Sequence, residues 1–162
     1  GATITLGAQV TLQVLWPVSP LHKSSSEEHD NTLVMRLVAP GLRLLLLGTA
    51  VMSRYALAGL LTAIAPDYLQ ADVVQIVGET GKSFPAELNA VLQAAHPALL
   101  VITPAALSAR QRQAHLPSTI ALTQQLRDSV TDQVVQTSQT GTLEITSNNH
   151  AWNLQQPLSP GV

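Results

Sequence analysis

The sequence predicts an α/β fold in which a mixed β-sheet has flanking helices. Residues 72–77 and 98–102 are short apolar runs with many β-branched side chains, as is typical of buried strands. The segment between them repeats apolar residues at helical spacing, and the order strand, helix, strand indicates a parallel βαβ unit. Residues 32–38 and 42–47 flank a Pro-Gly turn signal and predict an antiparallel hairpin. A sheet that contains both arrangements is mixed.

Alternation, capping residues and helix breakers predict the remaining elements. Ser53 is a typical cap for a helix that has one apolar face and ends at Pro66. Residues 19–30 combine serines, histidines and acids with few apolar side chains, which predicts a solvated loop. The apolar face of the βαβ helix consists of Leu88, Val91, Leu92 and Ala95. Further strands are predicted at residues 3–6, 10–15, 133–137, 141–146 and 151–154, and a further helix begins at Ser118.

Length and composition bound the domain organisation and the possible partners. The chain has 162 residues, which fits a single domain at residues 1–156 with a frayed tail at 157–162. Charged residues make up 11% of the chain, against roughly 25% in an average domain. The net charge of -2 provides no basic surface for a nucleic-acid backbone. The absence of cysteine excludes disulfides, thiolate zinc sites and a cysteine nucleophile.

Residues 44–65 are long and apolar enough to be considered as a membrane span, with Arg54 as their one charge. Gly48 and Thr49 interrupt this run, and helical spacing begins only after Ser53. The pattern therefore favours a strand, a turn and a buried helix over a transmembrane helix.

Residues 78–83 join a predicted strand to a predicted helix and end in Gly81-Lys82-Ser83, as phosphate-binding loops do. Such a loop needs a further glycine five residues before Gly81, and this chain has Ile76 there. Nucleotide hydrolysis is therefore not expected. A phosphate- or nucleotide-binding module that uses Gly81, Lys82 and Ser83 at a helix start stays as an alternative.

The spacing of the histidines predicts no metal site within this chain. None of the five histidines has the i, i+4 or His-x-His spacing that places two imidazoles on one metal. His115 lies in a predicted loop, where it is either a site residue or an ordinary loop residue. A Gly-x-Ser-x-Gly nucleophile motif is absent from the sequence.

Seven fragments have an order that matches one family. In chain order they are VLWP at 14–17, NTLVMRL at 31–37, LLLLGT at 44–49, ADVVQI at 71–76, PALLVI at 97–102, AHLP at 114–117 and TSQTGTLEI at 137–145. Together they resemble the metallo-β-lactamase-like domain of ComEC-type DNA internalisation proteins, which serve competence by taking up transforming DNA. The resemblance implies the C-terminal half of an αββα sandwich.

The chain departs from the family pattern at the metal-site positions. Thr49 stands where the family has Asp, and Gly78 and Glu79 stand where it has paired His. His115 in Ala-His-Leu-Pro matches the family's Gly-His-Pro loop. Glu79 and His115 are therefore the catalytic candidates that the resemblance leaves. Because Thr and Gly supply neither carboxylate nor imidazole, we expect no zinc or manganese cofactor in this chain.

The resemblance implies a soluble, degenerate and non-catalytic ComEC-like domain of a bacterial cytoplasmic-membrane protein, on the extracytoplasmic face. The partners that it implies are the rest of that parent protein and, through the parent, single-stranded DNA. The enzyme alternative is a metal-dependent phosphodiesterase or nuclease that an N-terminal half completes, with Glu79 and His115 in its site. Half of a two-sheet sandwich leaves one apolar sheet face uncovered, so we expect a homo-oligomer or another assembly.

Overall fold

Both predicted strand arrangements occur in one sheet in the computed structural model, which describes residues 1–18, 27–78, 84–104 and 133–155. The strands of this seven-stranded sheet are β1 (Thr3–Thr5), β2 (Thr11–Trp16), β3 (Val34–Ala39), β4 (Leu42–Gly48), β5 (Val73–Gly78), β6 (Leu99–Pro104) and β7 (Val134–Gln136). Neighbours from β1 to β4 are antiparallel, and neighbours from β4 to β7 are parallel. The predicted α/β class with a mixed sheet is confirmed.

Helices and a second, two-stranded sheet complete the described fold. The helices are α1 (Glu27–Asp30), α2 (Arg54–Ala63), α3 (Pro66–Leu69), α4 (Ala86–Ala95) and α5 (Thr137–Thr140), and a short 3-10 helix covers Thr49–Met52. The second sheet is the antiparallel hairpin of β8 (Glu144–Ser147) and β9 (Trp152–Gln155). In the described ranges no helix is long and apolar enough to cross a membrane. Residues 44–65 form a strand, a turn and a helix, as predicted.

Helices α2 and α4 pack on one face of the large sheet, which we call the helix face. Leu45, Val74 and Leu100 point to this face and are buried together with leucines from both helices. The predicted apolar side of α4 is entirely buried. Ser53 caps α2 as predicted, because its Oγ accepts a hydrogen bond from the backbone N–H of Ala56 at 2.9 Å.

The opposite face of the large sheet, which we call the open face, is covered only in part. Directly paired residues share a face of a sheet, so the register places two rows of side chains here. The first row runs through Ile4, Leu12, Leu37, Leu44, Val73 and Leu99, and the second through Val14, Met35, Leu46, Gln75, Val101 and Val135. The hairpin of β8 and β9 lies over the parallel part of these rows, where Val73, Leu99 and Val101 are buried.

The covering hairpin corrects the expectation that this sheet face is bare. Ile145, Trp152 and Leu154 pack against the buried residues of β4, β5 and β6. The turn between β3 and β4 also lies against the hairpin, and a Cβ at Gly41 would overlap the backbone oxygen of Asn148. Over the antiparallel part the side chains of the two rows are half-buried, and Ile4 is 49% exposed. The uncovered part of the open face is therefore formed by β1, β2, most of β3 and the Leu46 end of β4, because Leu42 and Leu44 belong to the cluster beneath the hairpin.

The prediction of a solvated loop at residues 19–30 is wrong at the C-terminal end of that segment. Glu27–Asp30 is a helical turn, and Asp30 is only 6% exposed. The composition of the segment is polar, but two other parts of the chain supply hydrogen-bond partners that offset the cost of burying Asp30. The predicted helix from Ser118 and the tail at 157–162 lie outside the described residues.

Candidate functional site

The carboxyl ends of β4, β5 and β6 lie at one edge of the sheet because these three strands are parallel. The strands end at Gly48, Gly78 and Pro104. In open α/β sheets, ligands bind outside the carboxyl ends of the strands. This edge, with the polar side chains around it, is therefore the candidate site.

The site residues predicted from the sequence follow two of these strand ends. Glu79, Gly81, Lys82 and Ser83 come after β5, and His115 comes after β6. All five lie outside the described residues. The catalytic pairing of Glu79 with His115 and the phosphate site at Gly81, Lys82 and Ser83 therefore stay predictions.

Two threonine hydroxyls lie at the end of β4. Gly48 has a left-handed backbone conformation with φ of 54°, and Thr49 then begins the 3-10 helix. This turn places Thr49 Oγ1 2.7 Å from Thr32 Oγ1, so the two hydroxyls share a hydrogen bond. The position that carries the metal-site Asp in the resembling family thus holds a neutral hydroxyl with a neutral partner.

Asp30, two residues before Thr32 in the chain, carries a buried carboxylate. The side chain of Ser53 donates a hydrogen bond to Asp30 Oδ1, and the indole Nε1 of Trp16 donates to the backbone oxygen of Asp30 at 2.7 Å. The three residues join α1 to the start of α2 and to the end of β2. The sequence analysis missed Asp30, although an N-cap serine and a buried tryptophan both need polar partners.

A third polar group lies between β5 and β6, toward the open face. The amide Nε2 of Gln75 donates to Thr103 Oγ1 at 2.7 Å, and Thr103 Oγ1 donates to the backbone oxygen of Ile76 at 3.1 Å. Gln75 is directly paired with Val101, which places it in the second open-face row. The bonds hold both side chains against the sheet near its carboxyl edge.

The side chains described at this edge are hydroxyls, an amide and one carboxylate, and each has a hydrogen-bond partner within the fold. Zinc in proteins takes thiolate, imidazole or carboxylate ligands, and hydroxyls such as those of Thr32 and Thr49 do not replace them. Within the described ranges, no group of three or more histidine, cysteine, aspartate or glutamate side chains could hold a metal ion. The Thr32 and Thr49 hydroxyls are thus not ligands of the type that a zinc or manganese site of the resembling family uses.

Replacing Ser53 with alanine tests whether Asp30 and Ser53 are structurally coupled. The change removes the cap of α2 and leaves the buried Asp30 carboxylate without the Ser53 hydroxyl. We expect the free energy of unfolding to fall by about 2–3 kcal/mol, as the sum of a lost cap and a weakened buried acceptor. Urea unfolding followed by circular dichroism measures this change.

Thr62→Ala is the matched control, because the Thr62 hydroxyl is on the exposed side of α2 and donates to the backbone oxygen of Ala58. Its effect on the free energy of unfolding should stay within about 0.5 kcal/mol. Equal effects of Ser53→Ala and Thr62→Ala would show that the contact with Asp30 contributes no stability.

Comparison with known proteins finds no match to this chain. Family models, curated proteins and solved structures were all searched, and none of them matches the chain. The likeness to the ComEC-type domain accordingly remains an interpretation of the seven sequence fragments.

Proposed function

We propose that this chain is a non-catalytic ComEC-like domain that works by packing its open face against a second sheet. The observation that carries the proposal is the apolar, half-buried part of that face on β1 to β4. In the proposal the second sheet comes from the rest of a bacterial membrane protein that takes up transforming DNA, with the domain on the extracytoplasmic side. The order of the seven fragments supports this parent and this location.

The composition of β4 supports burial on both faces. An antiparallel sheet with one wet face normally alternates apolar and polar residues along each strand. Strand β4 instead reads LRLLLLG, with Leu45 and Leu47 buried on the helix face and Leu44 and Leu46 on the open face. Such a strand is typical of a sheet that lies between two layers.

The side chains that β1 to β4 direct to the open face are uncharged. Arg36 and Arg43 are paired with Leu45 and Val38, which places both cations on the helix side of the sheet. Contiguous apolar surface of this kind marks protein interaction sites. Packing a second apolar sheet on it would remove the half-exposed leucines from water without burying an unpaired charge.

A second copy of the same chain is the occupant that we expect for the isolated domain. Two-fold symmetry brings the same patch from each copy together, and an uncharged patch does not repel itself. The hairpin of β8 and β9 already covers the parallel half and the Leu42 end of β4, so the copies would meet over β1, β2, β3 and the Leu46 end of β4. The dimer thus replaces the partner sheet that the parent protein would supply.

The polar edge of the sheet supports the non-catalytic part of the proposal. A hydrolase of the resembling family needs anionic and imidazole ligands to activate a water at its metal. Thr49 places a hydroxyl at one of those positions, and this hydroxyl is bonded to that of Thr32. The edge therefore serves to hold β4, α1 and α2 together.

Leu37→Glu tests the proposed interface, because Leu37 lies in the middle of the first row between Leu12 and Leu44. Sedimentation equilibrium should show a dimer for the wild-type chain at micromolar concentration. In Leu37→Glu the two new carboxylates would be buried at the interface, and we expect association to weaken by at least about tenfold.

The matched control is Thr62→Glu, which adds the same charge to the exposed side of α2 and should dimerise like the wild type. Thermal unfolding of each monomer by circular dichroism separates a lost interface from a lost fold. A wild-type chain that stays monomeric, or a Leu37→Glu variant that associates equally well, would contradict the proposed packing.

A cleavage assay separates the proposal from the enzyme alternative. With Mn²⁺ or Zn²⁺ present, we expect the chain neither to cleave single-stranded DNA nor to bind it at physiological salt, since its net charge is -2. The readouts are gel analysis of labelled strands and fluorescence anisotropy. Strand cleavage that disappears in His115→Ala would instead establish a metal-dependent nuclease.

A further inference from the structure

In the described part of the chain, apolar packing alone joins the hairpin of β8 and β9 to the large sheet. Every described hydrogen bond of residues 144–155 lies within the hairpin, in the ladder of β8 with β9 and in the turn between them. Asn148 holds this turn, because its Oδ1 accepts hydrogen bonds from the backbone N–H groups of His150 and Ala151, each at 2.9 Å. Releasing the hairpin would therefore leave no described donor or acceptor of the large sheet without its partner.

The hairpin has an apolar inner side and a polar outer side. Ile145, Trp152 and Leu154 face the large sheet, and each of them is half-buried rather than fully buried. The outer side chains are exposed, and they are those of Glu144, Thr146, Asn153 and Gln155. An isolated two-stranded hairpin is only marginally stable in water. The order of this hairpin therefore depends on its inner contacts with the sheet.

The residues buried beneath the hairpin form a cluster of their own. This cluster consists of Leu42, Val73, Leu99 and Val101, and it is separate from the larger core beneath the helices. Neighbouring residues of β5 divide between the two, since Val73 belongs to the small cluster and Val74 to the core. Proteins open locally in cooperative units, and units with few buried apolar contacts open at the lowest free energy. The hairpin and its cluster have the properties of such a unit.

The chain enters the hairpin through Gly141, which directly follows α5. Its φ of 73° is a left-handed conformation, and its backbone N–H donates to the backbone oxygen of Thr137 at 2.9 Å. Apart from the chain neighbours of Gly141, no described atom lies within 4 Å of the place where a Cβ would be. A glycine with free space around it can change its backbone angles at little cost, as hinge residues do. Gly141 is therefore a suitable hinge between α5 and the hairpin.

We infer that the hairpin of β8 and β9 is a releasable cover, which leaves the open face as a unit while the seven-stranded sheet stays folded. Its release uncovers four apolar side chains that continue the uncharged rows of β1 to β3. The inference rests on the proposed function, because the same partner, a second copy of this chain, then packs on the parallel strands as well. Burial by the second copy replaces burial by the hairpin, so association and release are coupled.

Val73→Cys and Val74→Cys are matched tests of the release, because the chain has no cysteine and both valines are fully buried, on opposite faces of β5. The full chain is studied at a concentration at which sedimentation shows monomers. Alkylation of the thiol at position 73 should be at least about tenfold faster than at position 74, since only the hairpin must open. Its rate should also rise less steeply with urea, because this opening exposes less surface than global unfolding does.

Equal alkylation rates at the two positions, with the same dependence on urea, would overturn the releasable cover. Circular dichroism establishes that each variant keeps its fold. If Val73→Cys does not fold, Val101→Cys takes its place, because Val101 belongs to the same cluster and is only 6% exposed.

Trp152→Ala tests whether release enlarges the docking surface, because it removes a large inner side chain of the hairpin and leaves the seven-stranded sheet unchanged. The released form should be more populated, so sedimentation equilibrium should give a dimer dissociation constant at least about threefold lower than for Asn153→Ala, the control on the exposed outer side. Equal or weaker association of Trp152→Ala would overturn the enlarged surface. A wild-type chain that stays monomeric would contradict the proposed function, whereas the alkylation rates, measured on monomers, decide the release by themselves.

Discussion

Strand β4 has leucines on both of its faces, and the rest of the structure depends on covering them. Each leucine that leaves water stabilises the fold by about 1.5–3 kcal/mol. The helices cover Leu45 and Leu47, and the hairpin of β8 and β9 covers Leu42 from the other side. Leu46 remains half-buried on the open face. The hairpin covers the open face over the parallel strands. The proposed partner sheet would cover the same face over the antiparallel strands.

The polar groups described above lie at the carboxyl edge of the sheet, which is where α/β folds often bind ligands. Asp30 accepts hydrogen bonds from Ser53 and, through its backbone, from Trp16, so one residue ties α1 to α2 and β2. Thr49 and Thr32 join the end of β4 to the chain that enters β3. Both contacts therefore join separate elements of the fold at this edge.

Local patterns in the sequence were sufficient to predict the strands, the cap at Ser53 and the βαβ unit, because periodicity and capping act over a few residues. The burial of Asp30 could not be read in this way, since its partners Trp16 and Ser53 lie 14 and 23 residues away. The position of the β8–β9 hairpin depends equally on distant contacts. Alternation predicts that each of its strands has an apolar side, but not which sheet face it covers. Glu79 and His115 lie outside the described residues, so their roles still rest on the resemblance.

The most direct test of the account measures whether the open face is covered in solution. Because the chain has no cysteine, Met35→Cys introduces a single thiol on the second open-face row, and Thr62→Cys introduces one on the exposed side of α2. The account predicts that alkylation at position 35 slows as protein concentration rises through the micromolar range, while alkylation at position 62 does not change. Alkylation at position 35 that is independent of concentration, in a variant that keeps its fold, would contradict it.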